Sequence, residues 1–281
     1  MKIKQQIPFS SLTVDVEDYF HAANLEPCFP PSRWHKLPSR VEDSTQRLLE
    51  IFRTTNSKGT FFILGYIARR FPALVKEIAA EGHEIASHGY GHRIVWTQTP
   101  KSFYRDIRKA KLLLEDLTGS EVLGYRAPNF SIIDSTAWAY TELSRAGYRY
   151  DSSLYPVAHP RYGNRHRSAS QEQVSTEHGT LEILPLSTYS LEALNLRVGI
   201  AGGGWWRLLP KTFIRRALKI TAERAELNCY LHPWEIDPGQ PTCSRLSTLA
   251  RIRHYTGLEH FDDVVRDYLN EFGSKPLKER L

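Results

Sequence analysis

Short apolar runs alternate with amphipathic helical stretches along most of this chain, and that rhythm leaves few folds open. Ser10–Glu17 reads as a strand ending in acids, and Gly59–Leu64 as a buried strand; Glu84–Ser87, Glu121–Tyr125, Tyr148–Tyr150 and Leu227–Leu231 are further short strands. Between them lie helices with recognisable ends. Ser39-Arg-Val-Glu42 has the form of a capping box, opening a helix whose apolar face is Val41, Leu48, Leu49 and Phe52. A helix over Ile67–Ala80 is closed by Gly82. Thr99-Pro100 starts another, which runs to about Leu117 and stops at Gly119. Asp134 caps a helix ending at Gly147, and a final amphipathic helix covers Asp262–Phe272. Strand followed by helix, repeated, means parallel strands with helical crossovers, and 281 residues suit one large α/β domain better than two small ones. In such barrels the chemistry gathers at the carboxyl ends of strands. Asp15, His88, Arg126, Asp151 and His232 all fall at or just after predicted strand ends.

One segment breaks the rhythm. Residues 156–210 hold Pro, Gly, Arg, His and Ser clusters, a strand-like run at Leu181–Leu186, and Gly202-Gly-Gly-Trp-Trp206. The glycines suggest close approach to a neighbour, and the insertion is expected to build one wall of a cleft. The formal charge of +6, with loose basic concentrations at Arg161–Arg167 and Arg207–Lys219, carries no nucleic-acid-reading motif and is read as solubility. Three cysteines (Cys28, Cys229, Cys243) form no CxxC pair and leave an odd thiol, which argues against a disulfide framework and for a reducing compartment. The first eight residues lack the apolar run of a signal peptide and no stretch is long enough to span a bilayer, so a cytoplasmic location is expected.

Two segments carry the strongest chemical signal: Thr13-Val-Asp-Val-Glu-Asp18 and His88-Gly-Tyr-Gly-His92. Asp15 and Glu17 point to one face of a strand, because side chains alternate. Three clustered acids repel one another unless a cation or an arginine sits among them. His88 and His92, at i and i+4, have a spacing that stacks two imidazoles on one face of a helical turn. Two imidazoles and one carboxylate can hold a divalent metal with positions left open, and another carboxylate is then free as a base. Taken singly, each residue has a plainer reading: an acidic turn, two loop histidines, a solvated arginine, a capping aspartate. For the acids, the clustering argues against that; for the histidine pair taken alone the plainer reading stands.

With Arg126-Ala-Pro128, Tyr150-Asp-Ser-Ser153 and Tyr230-Leu-His-Pro233, these pieces resemble in their order the polysaccharide deacetylase family, the NodB-homology carbohydrate esterases of family 4. The resemblance implies a distorted (β/α) barrel of seven strands, as a single catalytic domain over 1–281 with a subgroup-specific portion over about 156–281. It implies Asp15 as the base. Val16 stands where the family's usual ligand aspartate would be, so relatives with Asp-x-Asp point to Glu17 as ligand, with Asp18 as the alternative. His88 and His92 would be the other ligands, Gly89 replacing a hydroxyl residue between them. The metal would be zinc, with cobalt or nickel also accepted. Arg126 would grip Asp15 with two parallel hydrogen bonds. His232 would protonate the leaving amine, with Asp151 orienting its imidazole; cleaving an amide needs an acid as well as a base. Leu231 and Trp234 are expected to line the pocket for the acetyl methyl. Trp205 and Trp206 would either stack on sugar rings or serve as buried anchors.

Asp15–Phe20 and Gly202–Arg207 extend the resemblance to the subgroup of exopolysaccharide loci (exosortase/PEP-CTERM-associated). The implied activity is N-deacetylation of N-acetylhexosamine units in a bacterial polysaccharide or its precursor. An N-acetylated glycan would be the partner, in association with a polysaccharide assembly system and without nucleic acid. The alternatives are hydrolysis of another C–N bond, in a peptidoglycan acetamide or a small cyclic amide, or a non-catalytic glycan-binding protein on the same scaffold.

Overall fold

A computed structural model describes residues 9–158, 163–191 and 196–281. The opening residues 1–8 and part of the basic Arg161–Arg167 concentration lie outside the described residues. In chain order the elements are β1 (Ser10–Val16), α1 (Val41–Thr54), β2 (Thr60–Ile63), α2 (Gly65–Arg70), α3 (Pro72–Ala80), β3 (Glu84–Ser87), α4 (Pro100–Thr118), β4 (Gly124–Tyr125), α5 (Trp138–Arg145) and β5 (Tyr150–Asp151). There follow β6 (Glu172–Thr176), β7 (Gly179–Ile183), β8 (Thr188–Leu191), β9 (Leu196–Gly199), α6 (Gly203–Leu208), α7 (Lys211–Ala222), β10 (Leu227–Leu231), α8 (Thr248–Tyr255) and α9 (Phe261–Phe272). The main sheet has the order β10-β1-β2-β3-β4-β5-β7-β6. Seven of its strands run parallel, and β6 pairs antiparallel with β7 at the edge. The sheet curls into a half-barrel. No backbone ladder joins β7 to β10 among the described residues. Instead Ser187 N donates to Asn228 O (3.0 Å), and Asn228 Nδ2 reaches Leu184 O and Pro185 O (both 3.1 Å).

Alternation sorts the side chains into two layers. Leu12, Val14 and Val16 of β1, Phe61 and Ile63 of β2 and Ile85 of β3 join the large core beneath the helices. Phe62, Ala86 and Tyr150 point the other way, into the barrel, where Leu184 and Leu277 pack with them. Asp15 pairs in register with Phe62, and Phe62 with Ala86, so Asp15 shares the inner face. The C-terminal segment closes the barrel's other end: Lys275 N donates to Ser10 O (2.9 Å), Leu277 N to Thr60 Oγ1 (2.8 Å) and Lys278 N to Glu84 Oε2 (3.0 Å).

Three local expectations are corrected. Ser39 does not cap α1; its hydroxyl donates to Asp18, and the residue before the helix, Arg40, makes no side-chain cap. The helix expected over Ile67–Ala80 is two helices broken at Phe71, because a residue before proline is pushed out of helical geometry. The expected helix from Asp134 to Gly147 begins as a 3-10 turn over Asp134–Thr136, with the α-helix confined to α5. Thr99 caps α4 as expected, accepting from Ser102 N, and Gly119 ends it with φ +65°.

The cysteine reading is overturned. Cys28 and Cys243, 215 residues apart, form a disulfide, and Cys229 is a single buried thiol. Spacing along the chain could not show this pair, since only the fold brings the loop after β1 beside the loop after β10. The argument for a reducing compartment loses its premise. The bridge borders a second small core of Tyr19, Phe20, Leu25, Trp34 and Trp234. Among the described residues no helix is long and apolar enough to cross a membrane.

Candidate active site

Four of the parallel strands end on an outward-facing residue whose successor enters the barrel mouth. Val16 is followed by Glu17, Ser87 by His88, Tyr125 by Arg126, and Leu231 by His232. The polar groups therefore converge on one rim because the strand ends are in register, not because the residues are near in sequence.

Glu17 Oε1 lies 2.9 Å from His88 Nε2 and 2.8 Å from His92 Nε2. Glu17 and His88 are buried and His92 is partly so. Burial would raise the Glu17 carboxyl, but His92, His232 and the two imidazole contacts hold it well below the usual carboxylate range. The other ring nitrogen of His88 faces Arg126 O at 2.8 Å. A carbonyl only accepts, so that nitrogen carries a proton, and in the neutral ring Nε2 is left as a lone pair aimed at a carboxylate oxygen. Two acceptors facing each other need a proton or a cation between them. Glu17, His88 and His92 thus fit a divalent metal as a two-nitrogen, one-oxygen set with room for further ligands.

Asp18 is elsewhere. Its carboxylate accepts from Tyr19 N, Arg40 N and the Ser39 hydroxyl, anchoring the entry to α1, and burial lifts its pKa to about 6. Of the two alternatives, Glu17 is the one that meets the imidazoles. The helical-turn rationale for the histidine pair is also corrected: 88–92 is a loop with φ +75° at Gly89 and +52° at His92. Its shape is held from α4, where Asp106 accepts from Tyr90 N at 2.7 Å. A Cβ on Gly89 would sit 2.9 Å from that carboxylate, which together with the positive φ accounts for the glycine.

Arg126 is fully buried in the barrel, its guanidinium 4.1 Å from the centre of the Phe62 ring. It does not grip Asp15 with two parallel bonds. Nη1 donates once to Asp15 Oδ1 (2.7 Å) and once to Thr13 Oγ1 (2.6 Å). Nε and Nη2 go to Ser152 O and Oγ (both 3.0 Å). The fork is spread over three partners because Thr13 reaches it from β1, across the barrel, and Ser152 from just beyond β5.

Asp151 does not orient His232. Tyr150 points inward, so alternation turns Asp151 outward, away from the rim. Its carboxylate accepts from Ser153 N (3.0 Å) and Ser153 Oγ (2.5 Å), and burial lifts its pKa to about 7. The partner of His232 is Glu235, whose Oε2 lies 3.2 Å from Nδ1 and accepts the His232 backbone N–H at 3.1 Å. Burial opposes the charged imidazole, but Glu17, Glu235 and Asp15 outweigh it and raise His232 to about 9. The His232-Pro-Trp-Glu235 spacing has the form of a capping box and could have pointed to Glu235. Asp151→Asn is therefore expected to leave the titration of His232 where wild type has it, because the Asp151 carboxylate is bound to Ser153 and does not touch the imidazole. A shift of the His232 titration as large as that caused by Glu235→Gln, followed by NMR, would contradict this placement.

The expected substrate-lining residues fare unevenly. Leu231 is fully buried and pairs in register with Val14, which faces the helices, so it points away from the site. Trp234 stacks on the His232 ring (4.8 Å, 18°) and on His254 behind it (4.7 Å, 15°), backing the imidazole. Trp206 is a buried anchor rather than a sugar platform: its Nε1 donates to Ile200 O (2.7 Å) and its ring packs against Tyr268. Trp205 is half-buried against the same core. His21, to which no role was assigned from sequence, sits beside His92 (ring centres 5.7 Å), accepts from Asp18 N, and is pushed down to about 3 by burial and the neighbouring His92.

Residues 34–150 match the family described as polysaccharide deacetylase, and residues 152–281 match DUF3473, a domain of unknown function. The first match contains His88, His92 and Arg126; the second contains His232 and Glu235. The peptidoglycan deacetylase of Helicobacter pylori is 34% identical over 110 residues, 38% of this chain and 36% of its own length. A peptidoglycan-N-acetylglucosamine deacetylase of Bacillus cereus is 34% identical over 96 residues, 34% of this chain and 35% of its own. The chain thus spans about a third of the length of these relatives. Among solved structures, one from Mycobacterium smegmatis provisionally assigned as a polysaccharide deacetylase superposes with a TM-score of 0.58 at 21% identity, covering 95% of this chain and 91% of that one. The Bc1960 peptidoglycan N-acetylglucosamine deacetylase gives 0.52 at 18%, covering 98% and 88%. At these identities the likeness is one of fold.

Proposed function

We propose that this chain, whose 34–150 region matches the polysaccharide deacetylase family, is a metal-dependent N-deacetylase of N-acetylhexosamine units in a bacterial polysaccharide or its precursor. The observation that carries this reading is the convergence at one rim of a metal-ligating trio, a carboxylate held by a buried arginine, and a carboxylate-backed histidine. A divalent cation, most simply zinc, would be held by Glu17, His88 and His92 and would supply Lewis acidity toward an acyl oxygen and water. Asp15, held by Arg126, takes a proton from the attacking water as the new C–O bond forms. His232 gives its proton to the nitrogen as the C–N bond breaks, and Glu235 stabilises the charged ring until then. Acetate and a free amine leave.

Burial opposes the charged form of His232, but Glu235 at Nδ1 raises it even where a cation compensates Glu17, so the acid form is held toward neutral pH and is lost as the pH rises. The rate of acetate release is expected to fall along an alkaline limb; a rate that stays flat through the alkaline range would remove His232 from the acid role.

The sequences Asp15–Phe20 and Gly202–Arg207 favour an exopolysaccharide as the substrate, within the exopolysaccharide-locus subgroup. The names of the two curated relatives favour peptidoglycan as the second reading. The discriminating experiment measures acetate release from N-acetylated oligosaccharides, peptidoglycan fragments and small cyclic amides, with zinc, cobalt or nickel supplied. Release from N-acetylhexosamine oligomers, abolished by chelation, supports the proposal. Turnover of the peptidoglycan or cyclic amide alone replaces the substrate, and no turnover with metal bound favours a glycan-binding role.

A further inference from the structure

Glu235 is aimed by a segment about thirty residues earlier in the chain. Arg207 Nε donates to Glu235 Oε1 at 3.0 Å, and both side chains are 2% exposed. Arg207 Nη1 also donates to His254 O (3.0 Å) and Thr256 O (2.7 Å). One guanidinium thus ties Glu235 to the stretch of backbone that carries His254, the ring supporting Trp234 from behind. The glycines ahead of Arg207 make the approach possible. A Cβ on Gly203 would overlap the Glu235 carboxylate, and one on Gly202 would lie 2.7 Å from the Tyr230 ring. Trp206 fixes α6 to the core so that Arg207 cannot swing away. The Gly202–Arg207 run thus packs directly against Tyr230 and the carboxylate that backs His232.

We infer that residues 152–281, the region matching a domain of unknown function, form the acid half of a divided active site, and that Arg207 is a positioning residue acting on the leaving group through Glu235 and His232. The inference rests on the deacetylase reading and assigns a task to the half of the chain that the deacetylase match does not cover.

A buried arginine–glutamate pair could instead serve only to hold the fold, and leaving-group dependence separates the two roles. An N-acetylated oligosaccharide must expel an amine, which needs a proton. 4-Nitrophenyl acetate expels a stabilised phenolate, which does not. Arg207→Met and Glu235→Gln, the second nearly isosteric and the less disruptive of the two, are each expected to lose roughly 30-fold or more on the amide, approaching the 10²–10⁴-fold of a general acid. The same variants should lose less than about threefold on the aryl ester. Arg207→Lys keeps the charge but not the fork, and should fall between Met and wild type on the amide alone. Parallel losses on both substrates, or no loss on the amide, would overturn the inference. A wild type that releases no acetate from any glycan would instead remove the deacetylase reading itself, a result recognisable before any variant is made.

Discussion

Asparagine in place of Asp15 is expected to slow acetate release by about 10²–10⁴-fold, the span a positioned acid–base group supplies, while the bound metal content stays that of wild type. Asp15 is not one of the three groups that meet at the metal-ligating trio. Its Oδ1 is held by Arg126 at 2.7 Å, and asparagine keeps an acceptor there but has no site for the proton of water. The variant should melt lower, because Arg126 is fully buried and loses its paired charge; breaking such a pair by removing one partner costs about 3–5 kcal/mol, and the retained acceptor together with Thr13 and Ser152 softens that. Elemental analysis, circular dichroism and the rate are read on the same sample. A loss under tenfold, with metal bound and fold intact, would give the base role to another group.

The second large effect belongs to Glu17. Glu17→Ala removes the oxygen that both imidazoles face, leaving two ligands of three. Changing an outer partner of a metal ligand typically costs 10–100-fold in affinity, so loss of the ligand itself is expected to weaken zinc binding by more than about 100-fold. Acetate release at limiting zinc should fall in parallel. Asp18→Asn supplies the contrast. Asp18 accepts from backbone N–H groups beyond the trio, so that variant should lose stability through a weakened anchor on α1 and keep its metal. Calorimetric titration of zinc into both proteins checks the pair; equal losses of affinity would return Asp18 to the ligand set.

Much of the site was legible because it hangs on strand ends. A run such as Thr13–Asp18 shows both where a strand stops and which residues share its inner face, and the same holds at Glu84–His88 and Leu227–His232. Alternation also held the information that Asp151 must face away from the rim, since Tyr150 beside it points inward; which of the two is inward depends on register with β4 and β7, and the sequence does not state register. What stayed hidden depends on contacts between distant segments. Cys28 meets Cys243, and Arg207 meets Glu235, only once the barrel has brought its loops together. Ser39 shows the converse: its capping-box pattern is present in the sequence, but the helix starts at Val41 with Arg40 in the cap position, and the Ser39 hydroxyl donates to the buried Asp18 carboxylate instead. The glycines at 202 and 203 were readable as close approach, whereas the neighbours they approach, Tyr230 and Glu235, were not.

The account stands on one metal at Glu17, His88 and His92 driving amide hydrolysis between Asp15 and His232. The most direct measurement strips the protein of metal and follows acetate release from an N-acetylated oligosaccharide as zinc is added back. Turnover should be absent at first, rise in proportion to zinc, and level off at one equivalent per chain. Turnover that survives stripping, or zinc that binds at one equivalent without any acetate appearing from the substrates tested, would contradict it.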